Sequence, residues 1–355
     1  MSRNDHRRAT ISALKDFCEA AFAAVGAGRE TAVAATRSMI HGSLHGVDSH
    51  GVRLLPHYVT ALAGGRLAKN PCMQFRQIKP GSGLLDASHA QGAVATFHAL
   101  DLAIGMARQT GIAGVGIQNS SHFGPAGAYA KAAADQGFVA LVVANSDSFV
   151  RLHDGAARFH GTNPIAFSAP SGGENPWLLD MATSAVPFNR VELYQSLGVD
   201  LPPGVASDAQ GAEVTDPMQA EMLAPVGGAF GFKGAALAGL AEILSAAMTG
   251  MRFGPEVAPM GGPDYAVPRE MGAFVLVMDP DGFVGAALMA AGMRRYLDQL
   301  RASPARPGCR VMAPGDREWA EAARRKVKGV TLDPVTVTGF SGLAVAFGLD
   351  LPFQD

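Results

Sequence analysis

The sequence predicts a mixed α/β protein of the α+β type that is divided into at least two lobes. Its 355 residues exceed the size at which a single hydrophobic core usually stops growing. Apolar residues recur at helical spacing in residues 9–64, whereas strands and helices are mixed later in the chain without a regular βαβ rhythm. A functional site between the lobes is therefore expected.

The N-terminal part of the chain is predicted to be helical. Residues 32–39 repeat the spacing of the first segment, and a further helix is expected at residues 55–62. The apolar positions of the first segment are Ala13, Phe17, Ala21 and Phe22. Prolines and glycines then interrupt the pattern, which makes residues 65–83 a candidate lobe boundary.

The middle of the chain predicts buried strands and one long helix. Residues 92–109 are rich in Ala, Leu and Met and predict a helix, which leads into a short apolar strand at 114–117. Length and β-branched content predict buried strands at 138–144 and 273–278, and a turn follows the second of them at 279–282.

Three later segments complete the prediction. Residues 234–251 are apolar but rich in Ala and Gly and carry Glu242, which favours a buried helix over a membrane span. A Pro-Gly turn followed by a charged helix is expected within 308–325, and short elements are expected at 329–347.

Composition argues against several functional classes. The net charge is −2 and no block of like charges occurs, so the footprint of a nucleic-acid-binding protein is missing and a small-molecule partner is favoured. Cys18, Cys72 and Cys309 are isolated, which predicts reduced thiols in a cytoplasmic protein. No apolar signal core follows the basic N-terminus, so no export is expected. His41 and His45 lie one turn apart without the Glu of a zinc-protease motif, so no metal is expected.

The first polar motif is Ser49-His50-Gly51, followed by Arg53 and Tyr58. Histidine is the commonest general acid or base near neutral pH, and the planar guanidinium of arginine can hold a carboxylate through two parallel hydrogen bonds. The motif therefore indicates acid/base chemistry on a molecule that carries a carboxylate, although short motifs of this kind also occur by chance in ordinary loops.

Other polar loops are suited to a nucleotide. Residues 119–127 follow a strand and lead into a predicted helix, so they could present backbone N–H groups to an anion, although an ordinary turn fits equally well. Residues 160–164 and 179–184 could contact a ribose or phosphate, and Asp180 could orient a histidine as the acid of a Ser-His-Asp set. Taken alone, each loop is more often a simple turn.

The usual nucleotide-binding glycine motifs are missing. Residues 227–234 are rich in glycine and contain one lysine, but the spacing is not that of a Walker A loop, which disfavours nucleoside triphosphate binding. The dinucleotide fingerprint G-x-G-x-x-G is absent, so a nicotinamide cofactor would have to bind without the ordinary Rossmann turn.

In their order along the chain, the motifs resemble those of the malate/L-lactate dehydrogenase family, which includes ureidoglycolate dehydrogenase, sulfolactate dehydrogenase and Δ1-piperideine-2-carboxylate reductase. The matching segments span nearly the whole chain and are Ser49-His50-Gly51 with Arg53, Asn119-Ser120-Ser121-His122-Phe123-Gly124, Gly161-Thr162-Asn163-Pro164, Asp180-Met181-Ala182-Thr183-Ser184, Gly231-Phe232-Lys233-Gly234 and Pro314-Gly315-Asp316. The resemblance implies an NAD(P)-dependent oxidoreductase.

The resemblance also implies an architecture. The cofactor domain is expected to be a mainly antiparallel sheet flanked by helices, which would explain the missing glycine fingerprint. Residues 76–284 are expected to form this NAD(P)-binding domain, and residues 1–75, joined by parts of 285–355, a helical lobe for substrate binding and dimerisation. A homodimer with its site near the domain and subunit boundary is expected.

Two catalytic assignments compete within the resemblance. Ser49, His50 and Asp180 match the relay proposed for the imine-reducing members, whereas His122 matches the proton acceptor assigned in ureidoglycolate dehydrogenase. Substrate carboxylate contacts are expected at Arg53 and Tyr58. Cofactor contacts are expected at His122, Phe123, Gly124, Asn145, Ser146, His160, Gly161, Thr162, Asn163, Pro164, Asp180, Met181, Ala182, Lys233, Pro314, Gly315 and Asp316.

One segment departs from the family pattern. Many members carry a Gly-Lys pair soon after the segment at 180–184, whereas this chain continues with Ala185-Val186-Pro187-Phe188-Asn189-Arg190. Arg190 could contact the 2′-phosphate of NADP or could be an ordinary surface charge. The choice between NAD and NADP therefore stays open.

The function predicted from these motifs is hydride transfer between a nicotinamide cofactor and the α-carbon of a small 2-hydroxy acid, with His50 or His122 moving the proton. The alternative is the reduction of cyclic imino acids such as Δ1-piperideine-2-carboxylate or Δ1-pyrroline-2-carboxylate. A serine hydrolase is disfavoured because Ser49 lacks the G-x-S-x-G elbow. A non-catalytic binding protein would show no hydride transfer.

Overall fold

The structure is a computed structural model that describes residues 7–353. Its strands are β1 (Arg8–Ala9), β2 (Gln74–Lys79), β3 (Ser82–Asp86), β4 (Ile112–Ser120), β5 (Val139–Ala144), β6 (Val150–Arg151), β7 (Arg158–His160), β8 (Ile165–Ala169), β9 (Trp177–Met181), β10 (Ala206–Ser207), β11 (Met222–Leu223), β12 (Met271–Met278) and β13 (Val330–Thr331). Its α-helices are α1 (Ile11–Ala24), α2 (Arg29–Leu44), α3 (Leu55–Gly64), α4 (Gly92–Thr110), α5 (Gly127–Ala134), α6 (Phe188–Leu197), α7 (Phe232–Glu242), α8 (Ala286–Arg301), α9 (Asp316–Lys328) and α10 (Pro334–Phe347).

The largest sheet has the strand order β2-β3-β4-β12-β5-β8-β9. Its neighbouring strands are antiparallel except for the β3–β4 pair. The prediction of an α+β fold with a mainly antiparallel sheet and flanking helices is confirmed. This sheet is not a parallel Rossmann sheet, and the absence of a G-x-G-x-x-G turn follows from that difference.

The sheet forms one hydrophobic core with α4 and α5. Both helices are rich in alanine, so their backbones approach the strands closely and leave many positions without exposure to water, among them Ala99, Ala103 and Ala133. The apolar strands at 138–144 and 273–278 were predicted correctly, and each lies in the middle of this sheet.

The N-terminal and C-terminal helices share a second core. Leu14 of α1, Met39 of α2 and Leu62 of α3 are fully buried together with Phe340 of α10. The ring centroids of Phe17 and Phe340 lie 4.8 Å apart. Burying each large apolar side chain stabilises the fold by about 1.5–3 kcal/mol. The N-terminal helical segment is thus completed by the end of the chain, and the exact residue division between lobes stays a prediction.

One element was not predicted and one prediction was wrong. The β2–β3 hairpin overlaps residues 65–83, which stay a candidate lobe boundary, and the sequence did not indicate it because β2 is an exposed polar edge strand without an apolar run. Short elements were expected at 329–347, but most of this segment forms a 14-residue helix, α10. Asp333 caps this helix by accepting hydrogen bonds from two backbone N–H groups, and packing overrides the low helix propensity of its Val and Thr residues.

The apolar segment at 234–251 is helical, as predicted, but it is not fully buried. Helix α7 continues into a π-helical turn at Ile243–Ala247, and Ile243 is 58% exposed. Within residues 7–353, no helix has both the length and the apolar character needed to cross a membrane.

Candidate active site

A cavity of about 900 Å³ lies between the helical segment after α2 and the sheet. Its walls come from residues 45–50, the loops that follow β4 and β5, the loop before β8, most of β9, the beginning of α6 and the loop before α9. This volume falls near the upper end of the range of roughly 300–1,000 Å³ that is usual for ligand sites.

The cavity brings together most of the predicted site residues. Those that line it are Ser49, His50, His122, Phe123, Gly124, Asn145, Ser146, Thr162, Pro164, Asp180, Met181, Ala182, Pro314 and Gly315. Those that do not line it are Arg53, Tyr58, His160, Gly161, Asn163, Lys233 and Asp316. Segments far apart in the sequence therefore converge on one site.

His50 lies in a tight turn that follows α2. Its ring Nδ1 is 2.9 Å from the hydroxyl oxygen of Ser49. Burial lowers the pKa of His50 below its ordinary value, so the imidazole is neutral at pH 7. The turn passes so close to α2 that a Cβ on Gly51 would lie 2.3 Å from the Ser43 hydroxyl, and the Val52 N–H donates to that same hydroxyl at 2.9 Å.

An ion pair ties this turn to the C-terminal part of the chain. The Arg325 guanidinium on α9 donates to both carboxylate oxygens of Asp48, with Nη2 and Oδ2 2.9 Å apart, and to the carbonyl oxygen of Ser43 at 2.6 Å. The arginine is buried, and the position of the Ser49-His50 pair therefore depends on a helix that lies 277 residues later in the chain.

His122 follows β4 and is held by Tyr58. The Tyr58 hydroxyl oxygen lies 2.8 Å from Nδ1 of His122, and Tyr58 is itself fully buried. Burial and, to a smaller degree, the nearby His50 and Arg269 hold the pKa of His122 well below its ordinary value. Tyr58 does not line the cavity, and its contact makes it a positioning residue for His122.

The two histidines form a pair. Their ring centroids lie 5.6 Å apart, and both rings line the cavity. Since each has Nδ1 next to a hydroxyl group, each keeps Nε2 for another partner. The site therefore contains two neutral imidazoles, either of which can accept a proton.

Asp180 lies at the end of β9, and its side chain is exposed within the cavity. Its Oδ2 accepts a hydrogen bond from the Gly127 N–H at 2.9 Å, and a Cβ on Gly127 would lie 2.6 Å from that oxygen. Because the cavity walls surround the carboxyl group, desolvation raises the pKa of Asp180 to about 6, and the Gly127 hydrogen bond opposes the rise. Among residues 7–353, no hydrogen bond joins Asp180 to His50, so the suggested relay is not a continuous hydrogen-bonded chain in this structure.

The predicted carboxylate-binding arginine has a protein partner. Arg53 forms an ion pair with Asp333, the residue that caps α10, and it lies outside the cavity wall. Its place outside the cavity wall and its ion pair with Asp333 both limit its access to a substrate.

A second arginine, Arg269, also lies outside the cavity wall and is also ion-paired, but its charge lowers the pKa of the site residue His122. Arg269 is buried, pairs with Asp147 and donates from Nε to the Ala258 carbonyl at 2.8 Å, but its Nη1 has no hydrogen-bond partner in the described chain. Its charge acts on both Tyr58 and His122. Arg269 lies in an irregular segment rich in proline, and no local sequence signal distinguishes it.

The remaining predicted cofactor residues have other positions. His160 is a buried residue of β7, and Gly161 passes so close to Ser146 that a Cβ would lie 2.1 Å from its hydroxyl. Lys233 lies in the first turn of α7, with Nζ 5.3 Å from the centroid of the Phe230 ring. Asp316 accepts hydrogen bonds from Arg301 and from the Ala313 N–H, and so it holds the loop that lines the cavity.

The cavity wall fits a dinucleotide. Gly124 and Gly315 both line the cavity and have positive φ, and a Cβ on either would meet a neighbouring side chain at less than 3 Å, so neither position has room for a larger residue. Asn145 also lines the cavity, and its buried Oδ1 has no hydrogen-bond partner among the described residues. Arg190 and Arg317 supply positive charge, and Arg317 is paired with Glu318 at 3.0 Å. In residues 7–353, no cluster of His, Cys, Asp and Glu is placed to hold a metal ion.

Comparisons with known proteins agree with this architecture. The family model described as malate/L-lactate dehydrogenase matches residues 9–340. The Δ1-pyrroline-2-carboxylate/Δ1-piperideine-2-carboxylate reductase of Pseudomonas putida is 32% identical over 95% of this chain and 96% of its own length. The NAD(+)-dependent ureidoglycolate dehydrogenase of Escherichia coli K12 is 29% identical over 86% and 87%. The NADP(+)-dependent (2R)-3-sulfolactate dehydrogenase of Chromohalobacter salexigens is 34% identical over 78% and 82%.

The fold is likewise shared with a solved structure. The sulfolactate dehydrogenase of Methanocaldococcus jannaschii superposes with a TM-score of 0.90 at 26% identity, covering 97% of this chain and 98% of that one. Sequence, fold and the arrangement of the cavity thus agree, and the chain belongs to the malate/L-lactate dehydrogenase family of NAD- or NADP-dependent oxidoreductases.

Proposed function

We propose that this protein interconverts a small 2-hydroxy acid and the corresponding 2-keto acid. The observation that carries the proposal is the pair of neutral imidazoles, His50 and His122, in one cavity that is large enough for a dinucleotide. Oxidation of an alcohol needs a base that removes the hydroxyl proton while the α-carbon loses a hydride. When bound, NAD or NADP supplies the acceptor or donor of that hydride.

His122 is the residue we assign to the proton. The Tyr58 hydroxyl engages Nδ1, which leaves Nε2 to accept the proton from the substrate hydroxyl or to return it to a keto oxygen. Because burial lowers the pKa of His122, the ring is unprotonated and ready to act as a base at neutral pH. A substrate carboxylate nearby would raise this pKa, and proton transfer would become easier in both directions.

Arg269 is the residue we assign to the substrate carboxylate. A buried guanidinium with one unpartnered nitrogen is costly, by about 1–3 kcal/mol, unless a ligand supplies the missing acceptor. Its charge lowers the pKa of both Tyr58 and His122, which supports a place for a negative charge beside His122. Arg269 is buried outside the cavity wall, so binding would require its side chain to become accessible. Arg53 is the competing assignment, and it would first have to release Asp333.

The cofactor would be held by the cavity walls. The wall residues that we assign to it are His122, Phe123, Gly124, Asn145, Ser146, Thr162, Pro164, Asp180, Met181, Ala182, Pro314 and Gly315. His160, Gly161, Asn163 and Asp316 would act through their support of these loops. Lys233 would need a cofactor that extends beyond the cavity wall.

A second candidate function is the reduction of cyclic imino acids. Two observations support it: the 2.9 Å contact between Ser49 and His50, and the raised pKa of Asp180, about 6, in the same cavity. A carboxyl group with that pKa is partly protonated near neutral pH, so it could supply a proton to the site as an imine is reduced. The reductase among the relatives bears the name of this reaction.

We also propose that the protein acts as a homodimer. Apolar side chains on the face formed by α7 and the turns on either side of it are exposed, and a surface helix normally turns such residues inward. The exposed members of this face are Phe230, Phe232, Leu237, Leu240 and Ile243. A second copy of the chain would cover them, and Ile243→Glu should then convert the dimer to a monomer in light-scattering chromatography. A monomeric wild-type protein would contradict this assignment.

The experiment that tests the reaction is the oxidation of NADH and NADPH, followed at 340 nm. Pyruvate, oxaloacetate, 3-sulfopyruvate and Δ1-piperideine-2-carboxylate are supplied in turn to the purified protein. Turnover of a keto acid, lost in His122→Ala, supports the first function, whereas turnover of the imine alone, lost in His50→Ala, supports the second. Turnover that survives both substitutions would refute the acid/base assignments.

A further inference from the structure

Glu242 is a buried carboxylate that the reaction described above does not use. It ends α7 and is only 5% exposed. Its Oε2 accepts a hydrogen bond from Nδ2 of Asn145 at 3.1 Å, and its Oε1 accepts one from Nδ2 of Asn163 at 3.0 Å. Burial raises the pKa of Glu242, hydrogen bonds from the two amides and from the Gly254 N–H oppose the rise, and no cation of the described chain pairs with it. Burying a carboxylate without a counter-ion costs free energy, so the presence of Glu242 at this position calls for a functional explanation.

Both asparagines belong to segments that line the cavity. Asn145 lies in the cavity wall beside Ser146, and Asn163 lies between Thr162 and Pro164, which are wall residues. Asn163 has a φ of 36°, in the left-handed region that residues other than glycine seldom adopt. Its side chain is held by Glu242, by the Ala238 carbonyl at 3.1 Å and by the Ser146 N–H at 3.3 Å. These contacts over-determine an otherwise unfavourable backbone.

The same network reaches a third wall segment. The Thr162 N–H donates to the Ser146 hydroxyl at 3.2 Å, and the Thr183 hydroxyl donates to the Thr162 carbonyl at 3.1 Å. Thr183 follows Asp180, Met181 and Ala182 at the end of β9. The ends of the neighbouring strands β5, β8 and β9 are thus tied together, and Glu242 anchors the network from the helix outside the sheet.

Glu242 also fixes the orientation of the Asn145 amide. Nδ2 of Asn145 donates to Glu242 and to the Arg252 carbonyl at 2.7 Å, so both of its hydrogens are used. The remaining atom, Oδ1, has no protein partner. Because both hydrogens of Nδ2 are used, the amide cannot turn over without losing a contact, and the Asn145 loop is held in one orientation.

We propose that Glu242 is a positioning residue for the cofactor, which it serves by holding the Asn145 and Asn163 loops in their binding geometry. The inference rests on the proposed placement of NAD(P) in this cavity. The chemistry requires a carboxylate, because both partners donate N–H groups and a carboxylate only accepts. Glutamine at this position would turn a donor towards one of the two asparagines.

The test compares Glu242→Gln with Glu256→Gln, a matched control. Glu256 lies in the same region and is exposed, and its carboxylate accepts from the Phe253 N–H without contacting either asparagine. Binding of NADH and of NADPH is measured by fluorescence titration, and KM and kcat are measured with a substrate that the wild type turns over. For Glu242→Gln we expect the cofactor Kd and KM to rise roughly tenfold and kcat to change less than about threefold. Glu256→Gln should match the wild type.

A second variant keeps the test valid if Glu242→Gln does not fold. Asn163→Gly removes one amide and tolerates the positive φ, so it should raise the cofactor Kd in the same way. In the double variant the loss of cofactor-binding free energy should be smaller than the sum of the losses in the two single variants, because both substitutions break the same contact. A Kd within twofold of the wild type in both single variants, or a fall in kcat with an unchanged Kd, would overturn the proposal. A wild type that binds neither dinucleotide would instead refute the proposed function.

Discussion

Tyr58→Phe separates the two histidines as carriers of the proton. The substitution removes the hydroxyl that lies 2.8 Å from Nδ1 of His122 and leaves the buried aromatic ring in place. A buried polar atom that loses its hydrogen-bond partner costs about 1–3 kcal/mol. Because this loss falls on the group that moves the proton, we expect kcat/KM to fall by roughly 5- to 30-fold, equivalent to about 1–2 kcal/mol.

Ser49→Ala is the matched comparison for that experiment. It removes the hydroxyl 2.9 Å from Nδ1 of His50, so the two variants differ only in which imidazole loses its partner. Both are assayed at 340 nm with the substrate that the wild type turns over, and thermal melting confirms that each is folded. If Ser49→Ala lowers kcat/KM more than Tyr58→Phe does, His50 is the proton carrier and the assignment of His122 is wrong.

Further predictions concern charge. Arg269→Gln should raise the substrate KM at least tenfold, and Arg53→Gln should raise it far less; the reverse order in steady-state assays would restore Arg53 as the carboxylate ligand. Because the pKa of His122 is lowered, kcat/KM for oxidation should persist at pH values where an ordinary imidazole is protonated, and a pH profile with an acidic limb at or above pH 6.5 would contradict this. The folded pKa of Asp180 is raised, so its carboxyl favours folding at low pH and opposes it as pH rises through about 6; Asp180→Asn should therefore raise Tm at pH 8 but not at pH 4, as scanning calorimetry can show. Arg190→Ala should weaken binding of 2′,5′-ADP in calorimetry but leave 5′-AMP unchanged if this arginine contacts the 2′-phosphate of NADP.

The sequence correctly predicted those elements that are specified by residues close together in the chain. The strands at 138–144 and 273–278 and the helix at 92–109 were correct because a run of β-branched residues or a helical apolar spacing is enough to specify each. The β2–β3 hairpin was missed because an exposed edge strand carries polar residues. Helix α10 was missed because its stability comes from packing on α1 and α3 rather than from helix propensity.

The same distinction between local motifs and long-range contacts applies to the candidate site. Short polar motifs pointed to Ser49, His50, His122 and Asp180, and the structure places all four in one cavity. Partners distant in sequence could not be foreseen, because a pairing such as Arg53 with Asp333 exists only in the folded chain. In the sequence, Glu242 stands out only as a charged residue in an apolar segment. In the structure it is buried and belongs to a hydrogen-bond network.

The ion pair between Asp48 and Arg325 has a consequence for how the protein is made. Its two halves are separated by 277 residues, so nearly the whole chain must leave the ribosome before α9 can dock against the turn that carries His50. Until then the N-terminal helices lack part of their core, since Phe340 arrives later still. Contacts of such high sequence separation form slowly. A nascent chain of this protein can thus complete its large sheet only after its central strand, β12, has emerged, and the turn that carries His50 is completed later still.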